Sequence, residues 1–293
     1  MVGDTPTNEN AKSLPVKGSG PETNKSAGQT KQEKKPESLG SFSIFLLQLV
    51  IAVLIFRSFI FAPFSIPSES MLPRLMNGDL LLAAKWPYGF SSHSLPFSVP
   101  LIPERIFASE PERGDIVIFK HPIDKSDYIK RVIALPGDTI ALEDGVVVLN
   151  GEPVPQKQMP DFSVELSPNT GCGWGGREIR MGSGEVQCHY TRFRETLPDG
   201  RSYDTFDFGP TPADSFAAQT IPQGHIFVMG DSRDNSRDSR FDARAGDAVG
   251  IISQDLLVGE ASIILWSSKG SAQWYNPVSW FTTVRWSRIG TLL

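Results

Sequence analysis

The chain predicts a mainly β fold behind one N-terminal transmembrane helix, and three features of its 293 residues carry that reading. One long apolar run stands near the start. Every later apolar run is short and closed by Gly, Pro or Asp, the punctuation of strands and turns rather than of helices. Residues 155–220 then shift toward Gly, Ser, Thr and charge, as an inserted β subdomain would. The length allows about two domains of roughly 100 to 200 residues each, or one β-rich domain plus extra segments. Hydrophobic residues at 40%, charged residues at 21% and a net charge of -5 fit an ordinary globular protein. They give no reason to expect a nucleic-acid partner.

Residues 1–40 are rich in Lys, Glu, Thr, Asn, Gly and Pro with hardly any aromatic side chains. They cannot bury enough surface to offset ordering entropy and read as a disordered tail. Residues 41–62, SFSIFLLQLVIAVLIFRSFIFA, would span about 33 Å as a helix at ~1.5 Å per residue, the thickness of a bilayer core. Arg57 stands near the end, where it can snorkel to the interface, and Pro63 closes the run. A buried soluble helix is the alternative. The polar leader is long for a secretory signal and no A-x-A-like site follows, so the segment is expected to remain as an anchor. Lys31, Lys34 and Lys35 precede it while only Arg57 and Arg74 lie at or soon after its far end. That bias places the N-terminus in the cytoplasm and everything after Pro63 outside.

Strands are expected at 79–85, 115–120, 128–135 and 146–149, and later at 225–229, 249–252 and 261–266. Asp144-Gly145 and Asn150-Gly151 flank one of these runs with hairpin dipeptides, and Asp199-Gly200 suggests another turn. The expected main β domain is 63–154 with 221–266, interrupted by 155–220. In the tail, 267–293, the aromatic residues with Arg285 and Arg288 fit either membrane-interface anchoring or an aromatic edge of the core. Cys172 and Cys188 are too few for a disulfide framework and lack zinc-ligand spacing, though they could form one bridge. No metal site is expected.

The chemistry centres on Ile66-Pro67-Ser68-Glu69-Ser70-Met71-Leu72-Pro73. A serine hydroxyl needs a base to become a nucleophile and donors to hold the oxyanion its attack creates. Ser68 offers a second hydroxyl, and Pro67 and Pro73 stiffen the segment. A Ser/Pro loop without chemistry is the plain alternative. None of the four histidines has a triad context. Lys130 lies in an otherwise apolar strand, where desolvation could bring its pKa from ~10.4 toward ~7 to 8 and make the neutral amine a base. An outward-facing, solvated lysine is the alternative.

These stretches resemble a family, the type I (leader) signal peptidases, membrane-bound serine proteases with a Ser/Lys dyad. The resemblance rests on the Ser70 segment, on Tyr128-Ile129-Lys130-Arg131 through Leu135-Pro136-Gly137-Asp138, and on Gly230-Asp231-Ser232-Arg233-Asp234-Asn235-Ser236-Arg237-Asp238-Ser239-Arg240, in that order. Arg113-Gly114-Asp115-Ile116-Val117 adds a fourth block, and the likeness covers roughly 41–150 and 221–266. It implies a membrane-anchored catalytic β domain that removes signal peptides from exported preproteins. Ser70 would be the nucleophile and Lys130 the general base, with Ser68 and the Ser70 amide as oxyanion hole. Ser236 would orient the amine, and Asp238 with Arg240 would support the dyad. Phe64, Ile66, Pro67, Leu75, Tyr128 and Ile129 would line small apolar substrate pockets. No cofactor is implied. The implied partners are preproteins carrying signal peptides, the lipid bilayer and, by proximity, the export machinery, in an inner-membrane enzyme whose catalytic part is periplasmic. Glu69 and Ser232 depart from common family residues. A dedicated Ser/Lys maturation peptidase, a self-cleaving repressor-type protein and a non-enzymatic membrane-anchored β module are the competing readings; the anchor and tail argue against the repressor type.

Overall fold

The computed structural model describes residues 39–95, 99, 102–182 and 184–293. The expected disordered tail falls outside the described residues except for Leu39 and Gly40, which open the first helix. That helix, α1, covers Leu39–Phe59. Its span Gly40–Phe59 has a mean hydropathy of 2.2 and is almost entirely exposed, so its apolar surface has no protein to cover it. This suits a lipid environment. The run was expected to stay helical to residue 62, but α1 ends three residues earlier. Pro63 is the reason: its ring opposes the carbonyl four residues back and drives the preceding residue out of the α region. Phe61 and Ala62 therefore turn into an extended segment.

Fifteen strands follow among the described residues. The first seven are β1 (Phe61–Ser65), β2 (Asp79–Ala84), β3 (Ile116–Lys120), β4 (Asp127–Ala134), β5 (Thr139–Glu143), β6 (Val146–Leu149) and β7 (Glu152–Pro153). Next come β8 (Gln156–Glu165), β9 (Arg177–Arg180), β10 (Val186–Thr196), β11 (Ser202–Phe206) and β12 (Phe216–Thr220). The last three are β13 (His225–Met229), β14 (Ile252–Ser253) and β15 (Leu257–Ser267). After α1 the longest α-helix among the described residues is α2, Pro277–Thr282.

The main sheet runs β1-β2-β15-β3-β4-β13-β14. Its strands alternate side chains between two apolar clusters, one holding Ile66, Leu75, Leu81, Ile116 and Ile264, the other Val117, Phe119, Val132, Val228 and Leu257. Strand β15 starts four residues earlier than its apolar run suggested, because Gly259 lets the backbone approach β2 where a Cβ would lie 2.4 Å from the Ala84 carbonyl oxygen. The strand expected at 249–252 is reduced to β14, since Gly250 turns the chain at φ 68°. Asp144-Gly145 and Asn150-Gly151 take positive φ at all four residues and close the β5-β6-β7 meander.

Residues 155–220 were expected to form their own subdomain. Strands β8 to β11 form a separate four-stranded sheet, with Asp199-Gly200 in the β10-β11 turn, while β12 leaves it and pairs with β5. The separate sheet reaches the loop between β1 and β2: Leu72 and Met76 share a cluster with Val164, Cys188, Tyr190 and Phe206. Cys172 and Cys188 are joined by a disulfide. The final segment returns to the main sheet, pairing Leu292 with Ile263.

Candidate active site

The loop between β1 and β2 presents Ser70. Its neck is closed by Ile66 N–H to the Asp79 carbonyl at 2.9 Å and Gly78 N–H to the Ile66 carbonyl at 3.2 Å. Inside, Leu75 N–H donates to the Met71 carbonyl at 2.8 Å, and Met71 and Leu75 are buried in the core. The loop is thus held by its own backbone and by apolar anchors, which suits a side chain that must keep one geometry.

Strand β4 delivers Lys130, whose Nζ lies 2.5 Å from Ser70 Oγ. The two side chains are nearly dry: Ser70 is 8% exposed and Lys130 4%. Burial pulls the Lys130 ammonium down to about 8, against the opposing fields of Asp238 and Asp231. Ser68 Oγ stands 3.5 Å from Ser70 Oγ and is exposed.

The loop after β13 backs this pair. Ser232 N–H donates to the Ser70 carbonyl at 3.0 Å, and Gly230 N–H donates to Asp238 Oδ2 at 3.0 Å. Gly230 must be glycine: a Cβ there would meet Ser236 Oγ at 2.3 Å and the Ser70 carbonyl oxygen at 2.5 Å. Asp238 and Arg240 form a buried ion pair at 2.8 Å. Burial pushes the Asp238 carboxyl up, but Arg240 and the Gly230 amide outweigh it and hold the group below its usual range. Ser236 is buried, yet its hydroxyl makes no hydrogen bond to Lys130 and has no partner among the described residues.

Of the expected pocket residues, Phe64, Ile66, Leu75 and Ile129 meet in one cluster. Pro67 is exposed beside them. Tyr128 packs elsewhere, against Phe119 and His121 in the other cluster, because it points to the opposite face of β4 from Ile129. His121 itself is fully buried, with Nε2 3.0 Å from the Ala248 carbonyl oxygen, and serves the fold. Glu69 lies against the disulfide loop, where a Cβ on Gly173 would meet its Oε2 at 2.3 Å, and burial raises its pKa.

Several residues of the site were not singled out from sequence. Arg131 grips Asp231 with two bonds of 2.7 and 2.6 Å and lies 4.3 Å from the Tyr203 ring. Asp79 accepts from Ser267 Oγ at 2.6 Å and from Arg288 at 2.5 Å. Both carboxylates sit in the quoted blocks or at their edge; their partners come from distant elements that no local pattern announces. Among the described residues no group of His, Cys, Asp and Glu is arranged to hold a metal.

A hydroxyl and an amine in contact, buried between a stiff loop and a sheet strand, define a candidate Ser/Lys hydrolase centre. The comparisons supply the family: the chain belongs to the signal peptidases, peptidase family S26, whose model matches residues 39–266. It is 35% identical over 268 residues to signal peptidase I of Rickettsia typhi, covering 85% of this chain and 91% of that one. To signal peptidase I of Rickettsia prowazekii it is 34% identical over 274 residues, covering 86% and 92%. A crystal structure of a signal peptidase I from Enterococcus faecalis V583 aligns with 21% identity and a TM-score of 0.28, covering 53% of this chain and 98% of that one. The chain is therefore a signal-peptide-cleaving peptidase with a mainly β catalytic part and an apolar N-terminal helix suited to a membrane anchor.

Proposed function

We propose that this peptidase cuts signal peptides from exported preproteins at the outer face of the inner membrane, with Ser70 as nucleophile and Lys130 as general base. The observation that carries the mechanism is the 2.5 Å contact between Lys130 Nζ and Ser70 Oγ in a dry setting. In its neutral form the amine takes the Ser70 proton as Oγ attacks the scissile carbonyl carbon. The resulting oxyanion is received by the Ser70 N–H and the Ser68 hydroxyl. The Lys130 ammonium then gives its proton to the leaving amine, which departs as the new N-terminus of the mature protein. The acyl-enzyme that remains is hydrolysed when Lys130 deprotonates a water, and expulsion of Ser70 Oγ returns the proton. Ser236, unpartnered and close to Gly230, has a free hydroxyl with which to steady the amine during these transfers.

Two unpaired strand edges support a place for the substrate. Strand β1 pairs only with β2, and residues 127–130 of β4 pair only with β3 among the described residues. An extended cleavage segment added between them would satisfy both edges. Its alternate side chains would enter the space walled by Phe64, Ile66, Leu75 and Ile129, which favours small residues. Lys31, Lys34 and Lys35 support a cytoplasmic N-terminus and hence a periplasmic catalytic part. The exposed aromatic segment around Trp274, 85% exposed, supports contact with lipid headgroups, and the export machinery would be a neighbour rather than a bound partner.

The test is cleavage of a panel of precursors by detergent-solubilised enzyme beside Ser70→Ala and Lys130→Ala. Processing of many precursors by wild type and of none by either variant is the expected result. Processing of one precursor alone would indicate a dedicated maturation peptidase, and activity retained in Ser70→Ala would remove the serine from the mechanism.

A further inference from the structure

A second buried lysine lies at the other end of the proposed groove. Lys85 follows β2 and is 3% exposed, yet the mechanism above does not use it. Its ammonium stands 5.7 Å from the centre of the Phe64 ring and meets no hydrogen-bond acceptor among the described residues. Asp127, whose field reaches it, is already bonded to Lys120 at 2.9 Å. Burial lowers its pKa to about 8, so at neutral pH the group remains mostly a cation. A cation largely withdrawn from water without a hydrogen-bond acceptor costs free energy. A charge that the fold compensates only in part, through a ring face and a carboxylate shared with Lys120, marks a place where a ligand can complete the compensation.

The direction of the groove says which part of the substrate comes near. Strand β1 leaves the end of α1 at Phe61 and leads through Ile66 to Ser70, while β4 runs from Asp127 to Lys130. Lys85 N–H donates to the Ile60 carbonyl at 3.0 Å, so this lysine is tied to the anchor end. In a signal peptide the apolar h-region precedes the scissile bond. With the scissile carbonyl at Ser70, the end of the h-region faces Lys85. The last turn of a helix exposes unpaired carbonyls carrying about half a negative charge.

We propose that Lys85 receives the carbonyl-lined C-terminal end of the signal peptide's h-region helix, so that the enzyme reads the helical segment as well as the residues beside the cut. This rests on the proposed function, since it requires the substrate to run along the groove toward Ser70. Phe64 would hold both reading positions together, with its ring facing the amine and its edge in the small-residue pocket.

The experiment compares wild type with Lys85→Met, which is close in size and carries no charge. Each is assayed on a full preprotein in phospholipid vesicles and on a short peptide that holds only the cleavage segment. The expected result is a fall of about tenfold in kcat/KM on the preprotein, mostly in KM and equivalent to about 1.4 kcal/mol, with the short peptide changed less than twofold. The melting temperature should stay level or rise, because the variant loses a largely buried charge that the fold compensates only in part. A preprotein with Lys in the last h-region turn should also be cut more slowly than its Asp twin by wild type, and equally fast by Lys85→Met. Equal losses on both substrates would make Lys85 a fold residue and overturn the proposal, as would no loss on either. A loss that follows the anionic-lipid content of the vesicles would assign the amine to lipid headgroups and overturn it too. If wild type failed on the short peptide, or Ser70→Ala cut it, the proposed function would fall and take this inference with it. Normal Ser70-dependent cleavage with any of the other adverse results would overturn this inference alone.

Discussion

Asp79 and Arg288 are 209 positions apart and form an ion pair of 2.5 Å that ties the base of the Ser70 loop to the C-terminal segment. The carboxylate is fully buried and also accepts from the Met76 N–H at 2.9 Å, while Arg288 reaches on to the Arg74 carbonyl. Arg288→Ala strips one strong partner from a dry charge. Because the Arg288 side chain is 18% exposed, the expected cost is about 2 kcal/mol, below the roughly 3 to 5 of a fully buried pair. Urea unfolding of Arg288→Ala should show this loss together with reduced kcat, and Arg288→Lys, lacking the two-pronged donor, should recover only part of each.

The Lys130 amine sets a pH dependence whose sign follows from its lowered pKa of about 8. In the proposed mechanism the neutral form is the base, so kcat should rise as pH passes upward through about 8, and Lys130→Arg, protonated throughout, should be inactive at every pH. Stability carries the same sign. Below pH 8 the folded state must hold a charged buried amine; between 8 and about 10.5 only the unfolded state binds the proton, so folding gains with rising pH. Lys130→Met should therefore be the more stable protein at pH 7, with its advantage shrinking above pH 8. Thermal melts of the two proteins from pH 6 to 10 measure it, and an unchanging gap would mean the amine is not desolvated.

Gly230 separates Ser236 from the Ser70 carbonyl with no room for a methyl group. Gly230→Ala must push one of them aside, and displacements near 1 Å at a reacting group cost about 100-fold in rate. Turnover of a cleavage-segment peptide should fall by that order, with a stability loss of about 1 to 3 kcal/mol from overpacking. Gly151, where nothing lies within 4 Å of an added Cβ, provides the comparison: its Ala variant should suffer backbone strain at positive φ but keep its turnover.

The sequence was informative wherever a local rule governs structure. Asp144-Gly145 and Asn150-Gly151 are read by the backbone itself, and the apolar run before Pro63 needs no tertiary partner to be a helix. The blocks around Ser70 and Lys130 drew both out of the sequence, and the structure brings the two side chains into contact. Strands β8 to β10 were harder to see, because they expose much of their surface and so lack clean alternation. Lys85 looked like the polar end of a strand. Its isolation is a property of what Phe64, Asp127 and Lys120 do around it, and such pairings between distant strands leave no trace in spacing.

The disulfide gives a prediction about the second sheet. Cys172 and Cys188 enclose a loop of 16 positions, for which chain entropy predicts about 3 kcal/mol of stabilisation. Cys188 shares its cluster with Leu72 and Met76 of the Ser70 loop, so loosening that sheet should reach the candidate site. Cys172→Ser with Cys188→Ser should lower the melting temperature and reduce turnover together. Alkylation of protein taken from intact cells without reductant should leave both cysteines unmodified; two modified thiols would show the bridge absent in the cell.

The walls of the proposed small-residue pocket make the last prediction. Ile129 is partly buried and packs with Phe64, Ile66 and Leu75, whereas Lys130, its neighbour on β4, carries the amine that touches Ser70. Because successive side chains on a strand point to opposite faces, the wall can be changed without pulling the amine from the serine. Ile129→Ala removes three carbons from one side of the space. A precursor with Val or Leu in place of Ala next to the cut should then become a substrate, gaining about tenfold or more over its rate with wild type. The original Ala precursor should lose only a fewfold. The cost to stability should be about 2 kcal/mol, low in the range for Ile to Ala since the side chain is not fully buried. Competition between the two precursors in one reaction, read by mass spectrometry of the new N-termini, measures the shift directly. If the preference for Ala were unchanged while both rates fell alike, Ile129 would be a packing residue and the pocket would lie elsewhere.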